Sequence, residues 1–136
     1  MPAAAPFTVT GVDFVTLMTE DLDAARAFYG DVLGLECSAL WRESDPVGAE
    51  FETGNLTLAL VDAARIGMTF APSGNPLALH VEDVAAARAA LEERGVTFFA
   101  DTMDSGVCHM ANFKDPDGNV LMLHSRYAPR MPRAAA

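Results

Sequence analysis

Basic residues are scarce in this chain: nine Lys and Arg stand against nineteen Asp and Glu, leaving a formal charge of -10 and a pI near 4.5. Phosphate backbones and anionic membranes need a basic face, so neither nucleic acid nor a membrane is an expected partner. Long apolar runs are missing too. None approaches the roughly 18 residues of a spanning helix, and the opening MPAAAPFTVT lacks the basic start and apolar core of a leader. Residence in the cytoplasm is the expectation. Cysteine is nearly absent, and Cys37 and Cys108 lie far apart outside any CxxC spacing. They read as reduced thiols, with a single bridge between them as the alternative. Apolar matter, by contrast, is plentiful: 51% of 136 residues are hydrophobic, enough for one ordinary domain with a buried core. Small molecules or other proteins remain as partners.

The chain carries an internal repeat. Glu20-Asp21-Leu22 followed by Ala24-Ala25-Arg26-Ala27 returns 62 positions later as Glu82-Asp83-Val84 followed by Ala86-Ala87-Arg88-Ala89. Two alanine-rich amphipathic helices would share some of this by composition alone, but the order of elements around both copies also matches. Each is preceded by a strand-like run, Val12 to Met18 and Leu77 to Val81, and each helix closes at a glycine, Gly34 and Gly95. Asp21 and Asp83 suit the N-cap, because a short carboxylate accepts hydrogen bonds from the first free helical amides. Leu22, Ala25, Tyr29 and Val32, and likewise Val84, Ala87 and Leu91, recur at helical spacing and are expected to face a sheet.

After each helix the pattern shortens to strands. Leu35 to Trp41, Ala49 to Thr53 and Leu56 to Val61 follow the first helix; Val96 to Ala100, Val107 to Phe113 and Val120 to Ser125 follow the second. Gly54-Asn55 and Asp117-Gly118 supply tight turns. The organisation is βαβββ twice: module one over about 9–62, a linker 63–75, module two over about 76–125 and a tail 126–136, all within a single domain 1–136. Both ends, MPAAAP and RMPRAAA, read as frayed. A ferredoxin-like α+β domain with extra strands is the competing architecture, and the duplication argues against it.

Val12-Asp13-Phe14-Val15, Asp21-Leu22 leading to Ala27-Phe28-Tyr29, Val32-Leu33-Gly34-Leu35 and Phe113-Lys114-Asp115-Pro116-Asp117-Gly118-Asn119 together resemble the vicinal oxygen chelate superfamily of glyoxalases, bleomycin resistance proteins and dioxygenases. The resemblance spans nearly the whole chain apart from its tails. It implies an α+β fold of paired βαβββ modules forming an open barrel around a cavity, and frequently a homodimer. In metal-dependent members the ligands come from the first and last strands of each module. Carried over, those positions are Phe14, Ala59, Pro76 and Met122. Phenylalanine, alanine and proline side chains offer no lone pair, and the Met122 thioether suits only a soft ion such as copper(I). No metal and no other cofactor is expected.

Strand alternation extends that reasoning to the rest of the ligand face: Val12, Phe14, Thr16 and Met18, with Thr57, Ala59 and Val61, then Ala78, His80, Val120, Met122 and His124. Such a face suits a flat or greasy small molecule, and Met18 and Met122 would adapt to its shape. Trp41 either walls the pocket or belongs to the core. His80 and His124 are the candidate catalytic residues, able to exchange protons near neutrality; structural histidines are the plainer reading. A site for an ion built from these two and a carboxylate is a further alternative. Cys108 reads as buried rather than nucleophilic, and His109 alternates with it, so the two cannot share a face. Asp115-Pro116-Asp117-Gly118-Asn119 reads as a hairpin turn rather than a cation site. Arg126, Tyr127, Arg130 and Arg133 gather positive charge in the tail, to pair with a partner subunit or to be solvated. Three functions compete. One is a metal-independent binder that sequesters an apolar or aromatic metabolite or drug. The second is a lyase, isomerase or dioxygenase using His80 and His124 or a noncanonical metal site. The third is an interaction module whose pocket is filled by its own side chains.

Overall fold

The computed structural model describes residues 6–131. The first five residues of the expected N-terminal tail, and Arg133 with the end of the C-terminal one, lie outside the described residues. Asp21 and Asp83 cap their helices: each Oδ1 accepts from the amide three positions on, Ala24 at 3.1 Å and Ala86 at 3.0 Å. The helices start where expected, α1 at Leu22–Ala27 and α2 at Val84–Glu93. From Phe28 the first helix widens into a π-helical turn, Phe28–Val32, in which the Leu33 amide reaches back to the Phe28 carbonyl.

Each helix sits inside one βαβββ module. The first has β1 (Phe14–Thr19), β2 (Glu36–Trp41), β3 (Gly48–Glu52) and β4 (Thr57–Asp62); the second has β5 (Leu77–His80), β6 (Met103–Asp104), β7 (Cys108–Lys114) and β8 (Val120–Arg126). The two sheets have the same order, β1-β4-β3-β2 and β5-β8-β7-β6, and each pairs its first and last strands in parallel. Their registers repeat as well. Thr16 faces Ala59 and Met18 faces Val61; Ala78 faces Met122 and His80 faces His124. The duplication is therefore one of strand pairing and not merely of alanine-rich helices. The sheets stay open, giving the α+β architecture of paired βαβββ modules.

Two expectations need correction. β1 begins at Phe14 and not at Val12, which is exposed beyond the strand. The strand expected over Val96 to Ala100 does not form: Phe98 makes a lone bridge with Phe113, and the edge strand is Met103–Asp104 instead. Arg88 is the reason. Its guanidinium takes the Ala100 carbonyl and the Thr102 hydroxyl at 3.0 Å each and lies 4.7 Å over the Phe98 ring. That carbonyl is thus turned to α2 rather than into a ladder.

One face of each sheet packs on the helices, and both modules share one core. Leu17, Phe51, Leu58 and Leu60 of the first sheet and Phe113, Leu121 and Leu123 of the second join it, with Ala25, Tyr29, Val84 and Leu91 from the helices. Burying each large side chain contributes about 1.5–3 kcal/mol. A polar clasp crosses this core. The Tyr29 hydroxyl donates to Asp115 Oδ2 at 2.7 Å, and Asn119 Nδ2 donates to the same oxygen at 2.8 Å and to the Met18 carbonyl at 3.0 Å. Asp115 Oδ1 accepts from the amides of Asp117 and Asn119, both at 2.9 Å. Asp117 in turn accepts from the Glu20 amide at 2.8 Å. The Asp115–Asn119 segment is thus the expected hairpin turn and also the fastening between modules.

Burial, and then the Asp115 carboxylate, push the Tyr29 phenol far above its usual range. Because the folded-state pKa lies above the unfolded one, this proton stabilises the fold fully below about pH 10, and the contribution falls as pH rises beyond that. Tyr29→Phe leaves a buried carboxylate one donor short, so a loss of about 1–3 kcal/mol is expected in urea unfolding. The steep alkaline decline of the parent above about pH 10 should be shallower in this variant; identical alkaline profiles would refute the coupling.

Candidate functional site

The faces turned away from the core carry the expected ligand-face residues. On the first sheet, strand pairing sets Phe14 beside Thr57, Thr16 beside Ala59, and Met18 beside Val61. The pairing with β3 extends these rows: Thr57 faces Glu52, Ala59 faces Glu50, and Val61 faces Gly48, which faces Trp41 on β2. Trp41 therefore shares a face with Phe14, Thr16, Met18, Thr57 and Ala59. On the second sheet, Ala78, His80, Met122 and His124 share one face, extended by Asn112 and Met110 on β7. Among the described residues, nothing covers the outer ends of either face. Phe14 is 58% exposed and the His80 side chain 66%. Each face is assembled within its own sheet, and among the described residues no strand of one sheet pairs with a strand of the other.

The first face holds two carboxylates that the sequence reasoning missed. Glu50 Oε2 accepts from the Trp41 indole N–H at 2.8 Å. Glu52 is held by the Ser38 hydroxyl at 2.6 Å and by the Thr57 hydroxyl at 2.8 Å, and these donors, Ser38 first, hold its carboxyl below the usual range. Ser38 reaches Glu52 because β2 bulges between Cys37 and Ala39. Continuing the alternation from Thr57 and Ala59 across the Gly54-Asn55 hairpin would have found both glutamates. Trp41 lies directly on Gly48: a Cβ there would stand 2.7 Å from the indole Cε3 and 2.9 Å from the Leu60 carbonyl oxygen. The ring is thus a fixed aromatic wall with its N–H already paired.

His80 and His124 are direct cross-strand neighbours, with His80 Nε2 also 3.4 Å from Glu82. Cys108 is buried beneath Arg126, whose Nη1 lies 3.9 Å from its sulfur; Cys37 is exposed, and both thiols are free. His109 points to the other side, stacked on Tyr127 at 4.8 Å and 3.4 Å from Asp104, whose carboxylate also accepts from the Tyr127 hydroxyl at 2.7 Å. Backbone bonding to Gly106 and then this hydroxyl hold the Asp104 carboxyl below its usual range. These contacts fasten Tyr127 to the second sheet.

The metal that the resemblance implies does not fit the residues at its four positions. Phe14 is an exposed ring, Ala59 is 1% exposed between Thr16 and Glu50, Pro76 precedes β5, and Met122 stands between Ala78 and Asn112. Three of these side chains have no donor atom, and a lone thioether is a poor ligand for a hard or borderline divalent ion. Among the described residues, no three His, Cys, Asp or Glu side chains are grouped to hold an ion.

A family model described as the Glyoxalase/Bleomycin resistance protein/Dioxygenase superfamily matches residues 11–123. No curated relative matches the chain. Among solved structures, TnmS3, an antibiotic binding protein from Streptomyces sp. CB03234, is 26% identical, covering 88% of this chain and 98% of that one at a TM-score of 0.73. A superfamily member from Sphaerobacter thermophilus DSM 20745 is 27% identical over 85% of this chain and 97% of that one, with a TM-score of 0.72. A lactoylglutathione lyase from Agrobacterium tumefaciens, 22% identical over 86% and 94% of the two chains, shares the fold at a TM-score of 0.72.

The Trp41–Gly48 contact is open to test. Gly48→Ala must displace the indole or bend β3, at a cost of about 1–3 kcal/mol, and should shift the emission of the chain's one tryptophan. Unaltered emission together with unaltered stability would contradict the close packing.

Proposed function

Since the chain belongs to the Glyoxalase/Bleomycin resistance protein/Dioxygenase superfamily, its family model covering residues 11–123, we propose that it binds a small apolar or aromatic molecule without using a metal, sequestering it rather than converting it. One observation carries this reading: the positions at which the family would hold an ion are Phe14, Ala59, Pro76 and Met122, while the same sheet face offers the fixed Trp41 ring. Stacking on a preset ring costs little ordering entropy, so such a wall favours flat ligands. The 26% likeness to an antibiotic binding protein supports the same direction. The proposed contacts are Phe14, Thr16, Met18, Trp41, Thr57 and Ala59 from one sheet, and Ala78, His80, Met122 and His124 from the other.

The two faces complete one pocket when a second copy of the chain supplies the missing half, so the proposal includes a homodimer. The exposure of Phe14 supports it, because a large apolar side chain at a strand start is otherwise left in water. A second reading, proton-transfer catalysis by a lyase or isomerase, has the direct opposition of His80 and His124 in its favour. Two imidazoles at adjacent strand positions on one face could serve as a general acid and a general base toward the same ligand.

A native-mass and thermal-shift screen against aromatic compounds tests the main reading. Binding is expected, with Trp41→Ala weakening it about tenfold or more, the loss usual for an aromatic anchor. Elemental analysis should find no stoichiometric transition metal, and Met122→Glu alone should not create a tight zinc site. Turnover that disappears on chelation, or on His124→Gln, would replace binding by catalysis.

A further inference from the structure

The repeat creates two equivalent places where a turn of one module closes on the helix of the other, and they are filled differently. At one, Tyr29 meets the Asp115–Asn119 turn. The residue 62 positions after Tyr29 is Leu91, and the corresponding turn is the one at Gly54-Asn55, between β3 and β4. No phenol is available there. Asn55 is engaged with the Thr53 hydroxyl at 3.2 Å instead of reaching across. In place of a clasp there is a cavity of about 590 Å³, bounded by this turn, by β5, by α2 and by the end of the π-helical turn. Its volume lies within the range of about 300–1,000 Å³ usual for small-molecule sites.

The walls of this cavity are mostly apolar, with Leu58, Leu77, Leu79, Leu91 and Leu123 among them and Thr53 and Asn55 at the turn. None of the nineteen acidic residues of the chain lines it. The lining residues able to carry charge are Arg94 and His80, and His80 already has Glu82 at 3.4 Å. Arg94 is exposed and is positioned by one bond, Nη1 to the Val32 carbonyl at 2.8 Å. Among the described residues its guanidinium makes no other hydrogen bond and no salt bridge. In a chain of charge -10, an apolar cavity whose wall carries an unpaired cation and no anion is selective in sign.

We infer that this cavity is a second binding site, centred on Arg94 and α2 and meeting the outward face of the second sheet only at Ala78 and His80, for an amphipathic monoanion: an alkyl or aryl body with a single carboxylate that pairs with Arg94. The apolar body replaces the packing that Tyr29 provides on the equivalent side, and the carboxylate accepts the remaining guanidinium N–H groups in the fork geometry that suits it. The inference does not depend on the aromatic-ligand reading of the sheet faces.

Sodium decanoate below its micellar concentration is the probe, followed by calorimetry and methyl NMR on the full chain. Saturable binding of one decanoate per chain is expected, with shifts at Leu79 and Leu91. Decyltrimethylammonium should bind at least about tenfold more weakly, and Arg94→Gln should weaken decanoate about tenfold or more, the worth of a charged hydrogen bond. Arg94→Lys should recover part of the loss. Ala90→Trp, on the exposed side of α2 at the lining, should block binding while leaving the fold intact by circular dichroism. Trp41→Ala should leave decanoate affinity unchanged. Absence of saturable binding to the folded chain, equal affinity for the cationic probe, or loss of binding in Trp41→Ala with retention in Ala90→Trp would each overturn the site.

Discussion

A single buried carboxylate, Asp115, fixes how the two halves of this molecule meet. It accepts from four donors: two backbone amides of its own turn, the Asn119 side chain and the Tyr29 phenol. A buried charge is tolerable only when it is satisfied in this way. The constraint is directional where the hydrophobic effect is not. Apolar burial holds the modules together, but the hydrogen bonds choose one relative placement among the many that would bury similar area. The placement of both outward sheet faces follows from that choice.

Those faces differ in chemistry even though they descend from one repeated unit. The first combines a fixed indole with two ordered glutamates; the second combines paired histidines with methionines. The shared core explains why they are presented outward: the helix sides of both sheets are committed to each other. With no ion donor at Phe14, Ala59 or Pro76, recognition on these faces would rest on stacking and shape.

Much of this was legible in the chain. The repeat announced two modules, the aspartate caps located both helices, and period-two alternation sorted β1, β4, β5 and β8 into faces. Local patterns reach only as far as neighbouring residues, however. Glu50 and Glu52 escaped notice because their role depends on the β2–β3–β4 register and on the bulge at Ser38. The Val96 to Ala100 segment has strand-like residues, yet Arg88 from the adjacent helix captures its carbonyl. The bond between Tyr29 and Asp115 joins residues 86 positions apart. Tyr29 was visible as a core residue, but its partner was not. The cavity beside Leu91 is harder still to foresee, since it arises from what the second copy of the unit fails to repeat.

The order of strands in each sheet has an effect on how copies of the chain treat one another. Among the described residues, β1 and β5 each have a hydrogen-bonded neighbour on one side alone. Their other margins present backbone donors and acceptors that would accept an additional strand from any passing chain. A surplus of ten negative charges makes indiscriminate encounters between identical molecules repulsive. Only an approach that aligns many groups at once can overcome that barrier, so this acidity would filter which self-contacts survive.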